Sequence, residues 1–330
     1  MKTKLLYVVA SNNDDVYVEQ AHISIFSAKH YMPDCHVTLL VDDTTDKNMD
    51  ENRRKILKNV DEYIVITLPE KKSAHVRSRL LKCGAREYVK GDFLYIDADT
   101  IVAKPLYEID MVTASVAATR DSHCDFSQNP YRKMDVEWAN KIGFPLENEN
   151  MFFNGGVVYA KDDEVAHRLY KMWLEEWIES KEKGVLKDQP ALAKTNCQLG
   201  HVIKQIDDTW NCEFLHGMRY MKDAKIVHYL TTNLKRDDIE PFILKSASAY
   251  DLLKKDLDNV TDVFYLGVIK DPFTGINSLT TITAGKETQF RRTWLYGRLF
   301  EWFVNGKKFE RFQSILFFIS NIKNKLLFRR

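Results

Sequence analysis

Two aspartates one residue apart, Asp97 and Asp99, stand behind four apolar residues, Phe93-Leu94-Tyr95-Ile96. A buried strand cannot hold two unpaired carboxylates inside, so the pair with its intervening Ala98 must emerge at the strand's end. Residues i and i+2 project to the same side while the backbone stays extended. Two carboxylates held together repel unless a cation or a proton lies between them. A divalent ion is the economical solution, and oxygen ligands suit Mg²⁺ or Mn²⁺. Such an ion can bridge a diphosphate and neutralise the charge of its departure. The plain alternative is a capping or turn pair at a strand end.

Other polar residues fall at similar edges. Asn154 lies between Phe152-Phe153 and Gly155-Gly156-Val157-Val158. Its amide can donate and accept toward hydroxyls, and the glycines permit close backbone approach. The alternative is an ordinary Asn-Gly turn between strands. His228 ends the apolar run Ile226-Val227; a lone histidine is more often structural, yet beside two carboxylates it suits Mn²⁺. Asp188-Gln189 opens a short helical stretch, where Asp188 also fits a helix cap. Arg79, in Ser78-Arg79-Leu80-Leu81-Lys82, suits bidentate contact with phosphate, and Arg77 is an equal claimant to the inward position. The loop Val8-Val9-Ala10-Ser11-Asn12 is followed by Tyr17, whose ring can stack on a base. Asp121 follows Ala117-Ala118-Thr119 as a loop carboxylate.

Alternating elements must position these residues. Lys4 to Ala10, His36 to Val41, Tyr63 to Leu68 and Asp92 to Ile96 read as strands. Tyr17 to Lys29, Asp50 to Asn59 and Ser78 to Val89 read as the helices between them. This β-α-β-α-β-α-β order predicts a largely parallel sheet covered on both faces. Ligands of such sheets sit beyond the carboxyl ends of the strands. Val112 to Thr119 and Gly156 to Tyr159 read as further strands, and Asp162 to Lys181 as a helix with Leu169, Trp173 and Trp177 on one stripe. There is no G-x-G-x-x-G after the first strand and no Walker P-loop, which argues against dinucleotide-binding and P-loop proteins.

In order and type, these features over roughly residues 4 to 230 resemble glycosyltransferase family 8, a retaining group with the mixed α/β GT-A fold. The resemblance implies a UDP-sugar donor, a saccharide or lipid-linked glycan acceptor, and Mn²⁺ or Mg²⁺ as cofactor. It places Ala10, Ser11, Asn12 and Tyr17 under the uridine, and Arg79 against the donor phosphate or sugar. Asp97, Asp99 and His228 become the metal ligands. Asp121, Asn154 and Gly155 fall beside the donor sugar, and Asp188-Gln189 faces the anomeric carbon. The family often has Asp where this chain has Ser11 or Asn12. It also continues past its histidine with Gly-x-x-Lys-Pro-Trp, its lysine on the diphosphate. This chain instead reads Leu230-Thr231-Thr232-Asn233-Leu234-Lys235, so Lys235 falls one position late. Two other readings are a haloacid-dehalogenase-type phosphatase, which also uses Asp-x-Asp after a strand, and a non-catalytic nucleotide-sugar-binding module on a decayed transferase fold.

The whole chain has 330 residues, 45% hydrophobic and 29% charged, with a net charge of +1. That composition excludes a disordered chain. Five cysteines with no Cys-x-x-Cys pair argue against a disulfide framework and fit a reducing compartment. The apolar run Leu5 to Ala10 is too short for a signal-peptide core, so a cytoplasmic protein is expected. Charge is uneven: residues 286–330 carry 11 basic and 3 acidic side chains. They are also aromatic, with Phe309, Phe312, Leu316, Ile319, Ile322 and Leu326 at helical spacing. We therefore expect a GT-A-like domain over 1–285 and a basic amphipathic extension over 286–330. The extension either packs on the domain or lies on an anionic membrane surface as a peripheral anchor. No recognition motif accompanies the charge, so no nucleic-acid partner is expected.

Overall fold

The fold was analysed in a computed structural model. It describes residues 1–68, 73–213, 220, 223–230, 247–259, 293–304 and 307–327. Lys235 lies outside these residues. The chain divides into two compact units, Met1–Thr274 and Gly275–Arg330.

The first unit is built on a seven-stranded sheet. Its strands are β1 (Lys4–Val9), β2 (Val37–Asp42), β3 (Glu62–Ile66), β4 (Phe93–Ile96), β6 (Val116–Arg120), β7 (Phe153–Ala160) and β8 (Ile203–Gln205), in the order β3-β2-β1-β4-β7-β6-β8. The first four pair in parallel, whereas β7 runs antiparallel to both β4 and β6. The expected mixed, mostly parallel α/β sheet flanked by helices is thus the observed one. Strands β1, β2, β4 and β7 are apolar nearly throughout because both faces are covered, and Leu5, Leu6, Leu40, Phe93 and Leu94 have no exposed surface. A smaller sheet of β5 (Thr100–Val102), β10 (Ile226–His228) and β9 (Cys212–Glu213) stands beside it, with β10 in the middle.

Among the helices are α1 (Tyr17–Tyr31), α2 (Ala74–Cys83), α3 (Arg132–Lys141), α4 (Glu164–Glu182) and α5 (Gln189–Gln198). Ser73 caps α2 and Asp163 caps α4, each accepting a backbone N–H from three residues on. The α4 stripe buries Leu169, Trp173 and Trp177 in the main core.

Some local expectations change. The segment read as a helix from Asp50 is a 3-10 helix, Arg53–Asn59, after a separate short helix at Asp43–Asn48. The Asp50 carboxylate accepts the Arg53 N–H at 2.8 Å, a side-chain bond that competes with helix formation. The helix expected to start at Ser78 starts at Ala74 and breaks at Gly84. Three-residue β5 and β8 and two-residue β9 carry too little pattern to be read from sequence.

The second unit contains α7 (Trp294–Val304) and α8 (Lys307–Leu327), with Trp302 and Phe312 meeting edge to face at 5.5 Å; the helix α6 (Ala247–Lys255) belongs to the first unit. Trp294, Ile315, Phe318 and Ile319 are exposed. Among the described residues no helix is long and apolar enough to cross a membrane.

Candidate active site

Strand β4 delivers Asp97 and Asp99 to the carboxyl end of the main sheet, between parallel β1 and antiparallel β7. The chain then turns into β5, which pairs antiparallel with β10 so that His228 stands opposite Thr100. That register brings a residue from 130 positions downstream against the aspartate pair. The His228 Nε2 atom lies 3.2 Å from Asp99 Oδ1 and 4.0 Å from Asp97 Oδ2.

Burial alone would lower the His228 pKa, but the carboxylates of Asp99 and Asp97 reverse this and raise it. Its Nδ1 lies 3.0 Å from Asn211 Oδ1. An Asn carbonyl oxygen can only accept, so Nδ1 carries a hydrogen, and Nε2 is the nitrogen left to face the carboxylates. Two carboxylate oxygens and an imidazole nitrogen, all within 4.8 Å of one another, form a donor set suited to Mn²⁺ or Mg²⁺.

These groups sit at one end of a cavity of about 420 Å³. Of the residues nominated from sequence, Ala10, Tyr17, Arg79, Asp97, Ala98, Asp99, Asn154, Gly155, Asp188, Gln189 and His228 all line it. Ser11, Asn12 and Asp121 are not among its lining. Ser11 is buried, its N–H donated to Thr45 Oγ1 at 2.8 Å. Asn12 accepts from Arg77 Nη2 at 2.6 Å, and Arg77 also binds Asp42. Arg77 therefore fastens the loop after β1, and of the two arginines it is Arg79 that lines the cavity.

Asp121 lies behind the wall and holds two lining amides, accepting from Asn154 Nδ2 at 2.9 Å and Gln189 Nε2 at 2.7 Å. Asn154 Oδ1 in turn accepts from Gly156 N at 2.8 Å and Asn211 Nδ2 at 3.0 Å. A continuous chain thus runs His228, Asn211, Asn154, Asp121, Gln189, joining the imidazole to the start of α5.

Two cations line the same cavity, one of them beside Asp97. Lys82 Nζ lies 3.0 Å from Asp188 Oδ2 and 3.6 Å from Asp97 Oδ1, and Arg79 Nε lies 3.1 Å from Asp188 Oδ1. Burial pushes the Asp188 pKa up, but these two cations more than reverse it and hold the carboxyl well below the usual range. Asp188 makes no helix-capping bond. Lys82 and Asn211 were not singled out from sequence. Lys82 lies one turn beyond Arg79 on α2, and that i,i+3 spacing was a usable signal. Asn211 sits in the 3-10 turn Asp208–Asn211 and carried none.

The sheet order, with an acidic strand end opening into a cavity, is that of a GT-A fold. The profile of Glycosyl transferase family 8 matches residues 8–235, and the chain belongs to that family. This sets the phosphatase reading aside. Among solved structures, the galactosyltransferase LgtC in complex with donor and acceptor sugar analogues is similar at 16% identity and a TM-score of 0.50, covering 77% of this chain and 95% of that one. GlyE of Streptococcus pneumoniae TIGR4 gives 15% identity and a TM-score of 0.48, over 77% and 61%. Mouse xyloside xylosyltransferase 1 gives 13% and 0.45, over 70% and 98%. At these identities the LgtC likeness shows a shared fold. No curated protein sequence matched the chain.

Proposed function

We propose that this protein transfers a hexose from a UDP-sugar to a saccharide or lipid-linked glycan acceptor, with retention at the anomeric carbon. The observation that carries this reading is the meeting of Asp97, Asp99 and His228 at one end of a cavity that also contains Arg79, Asn154 and Gln189. Those three side chains would hold Mn²⁺ or Mg²⁺, which would supply Lewis-acid neutralisation of the charge on a departing diphosphate.

The chain's own groups do the rest. Tyr17 and the Val8–Ala10 strand end receive the uridine. Arg79 faces the phosphates. Asn154 and Gln189 orient the sugar, and Asp121 aims both amides from behind. Gln189 donates its Nε2 to Asp121, so its carbonyl end is the one offered to the sugar. Asp188 is ion-paired on both carboxylate oxygens, which makes it a poor nucleophile. We therefore favour attack from the leaving-group face without a glycosyl-enzyme. Lys235 is the proposed diphosphate lysine. For the exposed apolar and basic residues of α7 and α8 we propose contact with an anionic membrane surface.

The test is turnover of UDP-sugars, as hydrolysis and as transfer to glycan acceptors, with Mn²⁺ and with chelator. Asp97→Ala and Asp99→Ala should each lose about 10²-fold or more of the metal-dependent rate. Full activity in both variants would refute the assignment. Tight UDP binding with no turnover on any acceptor would favour the binding-module reading. Removing 286–330 should reduce binding to anionic liposomes; unchanged binding would end the membrane proposal.

A further inference from the structure

A second group of metal-type ligands stands away from the cavity. Glu149 follows the 3-10 turn Leu146–Asn148, Cys197 is in the last turn of α5, and His201 lies just past that helix. One ligand atom from each falls within 4.8 Å of the other two. His201 Nε2 lies 2.8 Å from Glu149 Oε2. Burial, and then the adjoining Glu149 carboxylate, push the Cys197 thiol pKa up.

The chain leaves α5 through a left-handed turn. Gly200 and His201 are consecutive residues in the left-handed region, at φ 77° and 62°. Glycine takes that conformation freely, but for histidine it is uncommon. The bend is fastened by Asn196, whose carbonyl accepts His201 N–H at 2.7 Å and whose side chain accepts Ile203 N–H at 2.9 Å. It turns His201 back over the helix end toward Cys197 and Glu149.

We propose that Glu149, Cys197 and His201 form a zinc site, with a fourth position left to water. Sulfur, imidazole and carboxylate are the donor types of zinc, with bonds of about 2.0–2.3 Å that can span donors this close after small side-chain adjustment. The thiolate sets the site apart from the oxygen-rich set at Asp97 and Asp99 and selects Zn²⁺ over Mn²⁺ or Mg²⁺. On binding, Cys197 releases its thiol proton to solvent as the sulfur–metal bond forms. The ion then removes the repulsion between thiolate and carboxylate.

The site has a structural consequence. Helix α5 begins at Gln189, and Glu149 lies four residues before β7, which carries Asn154. A metal here would clip the far end of α5, whose first residue Gln189 lines the cavity, to the segment that leads into β7 and Asn154.

The test uses the full-length protein, stripped of metal and titrated with Co²⁺, which gives a thiolate-to-cobalt charge-transfer band only when sulfur is a ligand. We expect one equivalent showing that band, displaced by Zn²⁺, and retained in an Asp97→Asn, Asp99→Asn double variant. Cys197→Ser should abolish the band, and His201→Ala, at an exposed position, should weaken Co²⁺ binding by more than about tenfold. Absence of the band in the wild type, or its survival in Cys197→Ser, would overturn the proposal.

Discussion

Gly156 stands so close to His228 that a Cβ on this glycine would lie 2.4 Å from the imidazole Cε1 and 2.8 Å from Nδ1. The second glycine of the Asn-Gly-Gly run is therefore needed to seat the ring, whatever its backbone dihedrals. A strand atom and a buried ring cannot both give way cheaply. Gly156→Ala should cost about 1–3 kcal/mol of stability by overpacking. It should also weaken Mn²⁺ binding, because the ring must move from the carboxylates. A calorimetric Mn²⁺ titration reads this, and wild-type affinity in a folded Gly156→Ala protein would count against it.

Asn211 acts on the same ring from behind. It accepts from Nδ1 and passes its own N–H to Asn154 Oδ1. Asn211→Ala removes the partner that fixes the tautomer and leaves buried polar atoms unpaired. Metal affinity should fall by about 10–100-fold, the usual effect of losing such an outer partner. Asn211→Asp keeps the acceptor for Nδ1, so it should recover more metal affinity than Asn211→Ala. Equal losses in the two variants would contradict this account.

How much of this was legible in the sequence follows from the range of each interaction. The acidic strand end could be read locally, since four apolar residues and two carboxylates occupy one continuous stretch. The parallel sheet could be read from alternating periods. The pairing that brings His228 to Asp99 could not be read from pattern, because β5 and β10 are three residues each; family order supplied that placement. Asp121 was expected beside the donor sugar from family order; its bonds to Asn154 and Gln189 were not legible, since only tertiary packing brings those three side chains together. The Asp188 pairing with Lys82 joins residues 106 positions apart, and no local signal encodes it.

Asp135 makes the pH dependence specific. Burial, and then the charge of Asp121, raise its pKa to about 7, far above the unfolded value of about 3.9. Between those values the folded chain binds more protons than the unfolded chain, so this group makes stability fall as pH rises from about 4 to 7. Above pH 7 the full cost of its ionisation is present. Asp135→Asn should remove that slope and raise stability at pH 8 by up to about 4 kcal/mol, with little change at pH 4. Thermal melts across this range decide it, and an unchanged slope in the variant would reject the assignment.

The Asp188 pair gives the opposite sign. Its folded pKa is depressed by Lys82 and Arg79 against the push of burial. Stability from this carboxylate is therefore fully present above the unfolded value of about 3.9 and is lost as pH falls toward the lower folded value. Asp188→Asn leaves Lys82 with its ammonium buried and only the more distant Asp97 as counter-charge. Breaking one partner of a buried pair costs about 3–5 kcal/mol. The variant should therefore melt lower than wild type across neutral pH, and the difference should narrow only below about pH 4. Asp188→Asn with Lys82→Met removes both charges and should regain part of the loss, because an apolar side chain needs no counter-ion. A double variant no more stable than Asp188→Asn alone would show that the pair is not what Lys82 requires.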